Sequence, residues 1–197
     1  MKLTFKGKCK NIENLPKGNL PENAVKFKEA NNTAELNIRA LVFIVPCIVI
    51  IIMFGCIKNA MFSEQIKHFN IIPLGLLLVL LFIIPHEFLH AICFPQNAIV
   101  EMYFTIWGAF VTSTCPISKK RFIFMSFLPF FILGIIPLVI WLFLPESNYI
   151  SSILYTFGSI NLMLCSGDLM NIYNALRQMP PKTYQQLSGF NSYWFYN

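Results

Sequence analysis

Four apolar blocks govern what this chain can fold into. They run roughly over Ala40–Ile57, Phe69–Phe94, Phe122–Leu144 and Ile150–Leu176. At ~1.5 Å rise per residue, each is long enough to cross a hydrocarbon layer of about 30 Å as a helix. Charged residues make up only 12% of the 197 residues, too few to cover a globular surface of that size. The expected fold class is therefore an all-α membrane protein with four transmembrane helices. Pro46, Pro129 and Pro137 lie inside the blocks and predict kinks, which neighbouring helices can accommodate.

The polar remainder predicts three parts: a segment over 1–39, a four-span domain over 40–176 and a tail over 177–197. Met1–Cys9 alternates weakly, as a strand would, and Asn31-Asn32-Thr33 is a helix-cap signal leading into the first span. Between spans two and three, Ile99–Phe104 and Ile106–Thr114 are rich in β-branched and aromatic residues, with Gly108 near the middle. That composition predicts a small β-hairpin in the loop. Phe190, Tyr193, Trp194, Phe195 and Tyr196 close the tail and suit a membrane–water interface.

The net charge of +6 does not point to nucleic acid, because the Lys and Arg residues sit between apolar blocks. Eight fall in the N-terminal segment, two in 58–68, three in 95–121, none in 145–149 and two in the tail. The alternation predicts a multi-pass protein of the cell membrane with both termini, and the 95–121 loop, in the cytoplasm. The first apolar block starts only near Ala40, so it is expected to serve as an uncleaved first span. Six scattered cysteines give no disulfide framework, and no internal repeat suggests a transporter built from duplicated halves.

The chemistry concentrates in His86-Glu87-Phe88-Leu89-His90, an H-E-x-x-H sequence on a predicted helix. Residues four apart share a helix face, so two imidazoles can grip one metal ion. Glu87 projects to the side, where it can take the proton of a water whose pKa zinc lowers to about 7. The alternative is a helix with two structural histidines and a snorkelling glutamate. It fits the location badly, because an ionisable group inside a span is costly and rarely idle.

Zinc needs a third protein ligand, with one position left for water. Asp168 and Glu87 are the two acids inside predicted spans, and Asp168 lies as far along its span as His86 does, roughly 26 Å. Cys93 and Cys165 are soft-ligand rivals for that place. Asn161, two turns before Asp168, offers a substrate or oxyanion contact, or else glue between helices. Gly167 permits a close approach of helix or ligand. Pro85 frees the carbonyl of Leu81 beside the motif. His68 falls in the opposite loop, apart from the site, and Lys119-Lys120-Arg121 is a membrane anchor.

Pro85-His86-Glu87-x-x-His90-Ala91, the β-like loop and Ser166-Gly167-Asp168 together resemble the putative zincin peptidase family of small bacterial membrane proteins, over about residues 69–180. That family is similar in layout to the site-2 intramembrane proteases. The resemblance implies His86, His90 and Asp168 as zinc ligands and Glu87 as catalytic base. It departs from the site-2 pattern in having no proline between Asn161 and Asp168 and Leu169 in place of glycine after the aspartate. The expected function is zinc-dependent hydrolysis of peptide bonds in or next to the membrane. The alternative is a non-catalytic protein that binds or transports a metal. Expected partners are membrane lipid and a membrane-protein or peptide substrate, with no nucleic acid. The strand-like segment after the motif is expected to pair with an extended substrate, or else to pack against the bilayer.

Overall fold

The architecture is that of a computed structural model, which describes residues 1–9, 11–30, 32–62, 71–105, 108–145 and 149–196. His68, Asn31 of the predicted cap and the Ile106–Trp107 junction of the predicted hairpin lie outside them.

The end of the polar N-terminal segment forms α1 (Thr33–Leu41), which leads into α2 (Ile44–Phe62) of the first apolar block. The Asn32 side chain caps α1 by accepting the Glu35 N–H. The break between them falls at Val42 and Phe43, where Pro46 presses on the carbonyl four residues back. The second block divides in the same way into α3 (Pro73–Leu81) and α4 (Ile83–Ala91), with Pro85 opposing the Leu81 carbonyl. The third comprises α5 (Lys119–Pro129), a wide π turn over Phe130–Ile135 and α6 (Ile136–Leu142). The fourth is α7 (Tyr149–Leu164) and α8 (Ser166–Gln178), bent by 43° at Cys165. Three of the four blocks, Ala34–Phe62, Pro73–Ala91 and Lys119–Leu142, are long and apolar enough to span a membrane; the bent pair makes a fourth only if its halves cross together. Val45, Val49, Ile52, Leu77, Leu80 and Phe143 project their side chains outward, a surface suited to lipid.

The chain is not all-α. The described residues also form strands β1 (Lys2–Lys8), β2 (Val25–Lys26), β3 (Ile99–Thr105), β4 (Gly108–Thr112), β5 (Ile117–Ser118), β6 (Thr183–Ser188) and β7 (Asn191–Tyr196). The expected hairpin is β3–β4, but β1 adds to β3 in parallel, giving a sheet of order β1-β3-β4. A second sheet has order β2-β7-β6-β5, and Tyr193, Trp194, Phe195 and Tyr196 of the tail lie in its β7. Gly189, at φ +62, makes the tight turn between β6 and β7 that a side chain would strain. Phe195 is buried within this sheet, and Trp194 packs against a core of Phe27, Val100, Ile117 and Phe122.

These pairings define one end of the bundle. The start of α5, the end of α8 and the exit of α4 all meet the sheets there, so the three polar segments are one structure. Lys58 marks the other end. It is buried in α2, which extends past the expected span end at Ile57, and donates to the carbonyls of Trp141 and Leu144 and to Ser151 Oγ. Its charge thus closes the last turn of α6 rather than facing solvent as a loop cation. Between the two ends, Gly75 lets α3 touch α7: a Cβ there would lie 2.6 Å from Thr156 Cβ.

Candidate metal centre

The spacing of α4 places His86 and His90 one turn apart on one face, and the bend at Cys165 brings the first turn of α8 against them. His86 Nε2 lies 3.3 Å from Asp168 Oδ2, and His90 Nε2 lies 3.2 Å from Asp168 Oδ1. The two imidazole nitrogens are 3.2 Å apart. Tetrahedral zinc with bonds of about 2.0–2.1 Å has ligand-to-ligand edges of about 3.3 Å. The two imidazole nitrogens stand at that edge, each has its own Asp168 oxygen at the same separation, and two imidazoles with one carboxylate are donors zinc favours. Among the described residues, these three are the His, Cys, Asp and Glu side chains grouped for a metal.

The hydrogen bonds around His90 sharpen the fit. His90 Nδ1 lies 3.0 Å from the Met125 carbonyl, which can only accept. The proton of a neutral His90 therefore sits on Nδ1, leaving Nε2 bare. A bare ring nitrogen repels a carboxylate oxygen at 3.2 Å unless a cation lies between them. The cluster is built to hold positive charge, and a metal ion answers that need without a proton.

Glu87 is buried beside both histidines and Asp168, with the backbone N–H of Val111 in β4 beside its carboxyl group. An edge strand thus runs directly past the glutamate. Neither cysteine rival joins the group of ligands: Cys93 Sγ donates back to the Leu89 carbonyl, and Cys165 is fully buried at the bend. Asn161 is buried, and its Nδ2 donates to Phe157 in its own helix. A Cβ on Gly167 would meet no atom of the described residues within 4 Å, so among them no helix approaches there and space remains open beside Asp168. Lys119 of the basic run donates to the Met179 carbonyl just past α8, a tie between α5 and the tail.

The family model described as "Putative zincin peptidase" matches residues 78–184, more than half of the chain. The chain belongs to this family. The matched region begins in α3, takes in the H-E-x-x-H helix, β3, β4 and Asp168, and ends in β6. No curated protein and no solved structure matches the chain.

Two backbone groups of the site escape a reading by side-chain type: the Met125 carbonyl and the Val111 N–H. The first has a sequence signal. Pro129 stands four residues after Met125, the same offset at which Pro85 frees Leu81. The second has none, because it depends on where β4 docks on α4.

Proposed function

We propose that this zincin-family chain is a zinc-dependent membrane peptidase in which His86, His90 and Asp168 hold one Zn²⁺ and Glu87 is the general base. The observation that carries the proposal is the convergence of the His86 Nε2, His90 Nε2 and Asp168 carboxylate at 3.2–3.3 Å, with the His90 Nδ1 turned to the Met125 carbonyl. Bound there, zinc would polarise the scissile carbonyl and make water a nucleophile near neutral pH. Glu87 takes the proton from the attacking water and passes it to the leaving amine nitrogen, the role a buried carboxylate beside the ligands is suited to. The second Nδ2 hydrogen of Asn161 remains for a substrate carbonyl or oxyanion. The excess of Lys and Arg in the N-terminal segment assigns the sheet end to the cytoplasm. Water and the substrate chain then enter from that side.

Elemental analysis of purified protein tests the metal. The expected result is about one zinc per chain in the wild type and loss of zinc in His86→Ala, with helical circular dichroism unchanged. A wild type that carries zinc yet cleaves no peptide or membrane-protein substrate would favour a metal-binding or metal-transporting role instead.

A peptidase needs its substrate extended, because a helix ties up the carbonyls it must attack. β4 is an edge strand, and the Val111 N–H faces Glu87, away from β3. Strand periodicity aims the Ala109 N–H along the same open edge, while Phe110 faces the β3 ladder. A substrate strand added to this edge would lie beside the zinc. Ala109→Pro removes an edge donor without breaking the ladder. It is expected to cut cleavage about 2–13-fold with zinc content retained, given a net value of about 0.5–1.5 kcal/mol for the lost hydrogen bond. Wild-type cleavage by Ala109→Pro would exclude strand addition at this edge.

A further inference from the structure

We infer that Pro129 is a positioning residue for His90, acting through the carbonyl of Met125; this rests on the reading of His90 as a metal ligand. In α5 the N–H of residue 129 would close the helical hydrogen bond on the Met125 carbonyl, four residues back. Proline has no N–H, and its ring presses that carbonyl away from the helix axis. The next donor along, the Phe130 N–H, goes to Phe127. The Met125 carbonyl turns instead to His90 Nδ1, at 3.0 Å.

The consequence is chemical. A hydroxyl or water at that position could donate or accept, and would leave the imidazole free to place its proton on either nitrogen. A backbone carbonyl cannot donate, so it holds the proton on Nδ1 and keeps Nε2 turned to His86 and Asp168. Outer contacts of this kind orient a metal-binding histidine and raise its basicity. Here the contact is main chain, and it exists because of a proline in a different span. With alanine at 129, the restored N–H would draw the carbonyl back along the α5 axis and compete for it. Pro137 provides the contrast: it stands four residues after Leu133, within the π turn, and among the described residues no histidine bonds that carbonyl.

The test measures zinc affinity by competition with a chromophoric chelator, using the full chain in detergent. Pro129→Ala is expected to raise the zinc Kd about 10–100-fold, the usual cost of losing such an outer contact. Pro137→Ala should leave it unchanged while sharing the general effect of removing a proline from this span. Nitrogen-15 NMR of histidine-labelled wild type supplies a readout independent of any variant: His90 should carry its proton on Nδ1 in the zinc-loaded protein. Wild-type affinity in Pro129→Ala, or a proton on Nε2 of His90 in the wild type, would overturn the inference. If the wild type binds no zinc, the metal reading fails separately, and the metal-free spectrum at alkaline pH still reports which nitrogen faces Met125.

Discussion

Glu87→Gln is expected to abolish peptide hydrolysis while leaving zinc content at the wild-type level. Glutamine keeps the size of the side chain and can present its amide oxygen to the Val111 N–H. It cannot take up a proton. General-base catalysis typically contributes 10²–10⁴-fold, so the loss should fall in that range. Glu87 is not among the three grouped donors, so metal binding has no reason to suffer. Cleavage and elemental analysis on the same preparation separate the two roles. Hydrolysis by the glutamine variant at the wild-type rate would remove Glu87 from the mechanism. Loss of metal along with activity would make it a ligand rather than a base.

Asp168→Ala should have the larger effect on the metal itself. The aspartate faces both histidines, one carboxylate oxygen to each. Without it two neutral imidazoles remain as ligands, with no anionic ligand to offset the charge of the ion. Outer contacts alone are worth about 10–100-fold in metal affinity. A ligand should cost at least ~100-fold, enough to empty the site during purification. The fold should persist, because α8 is also held by Met170 and Ala175 in the buried core and by the tail strands that follow it. Full zinc in a folded Asp168→Ala protein would exclude the aspartate and return attention to Cys165, the buried thiol at the bend just before it.

Local sequence determined a definite part of this protein. The four apolar blocks required membrane-length helices, and three form them unbroken by any sharp bend. Pro46 and Pro85 each located an interruption near their own position, because the clash of a proline ring with the carbonyl four residues back is a short-range effect. The motif spacing put His86 and His90 on one face, and equal distances along two spans placed Asp168 level with them. The tertiary structure decided what depends on distant partners. No pattern within Met1–Cys9 says that it will pair in parallel with Ile99–Thr105, and none in the tail says that Thr183–Ser188 will pair with Asn191–Tyr196. Strand pairing is a relation between segments, while alternation is a property of one. Lys58 makes the same point: in sequence it is a loop cation, and in the fold it is buried among carbonyls of α6. The bend at Cys165, the Val111 N–H beside Glu87 and the Met125 carbonyl beside His90 also arise only when helices dock. The residues able to hold a metal were legible because side-chain chemistry is written in the sequence. The backbone groups that orient them were not, because every residue carries the same ones and packing alone selects which are used.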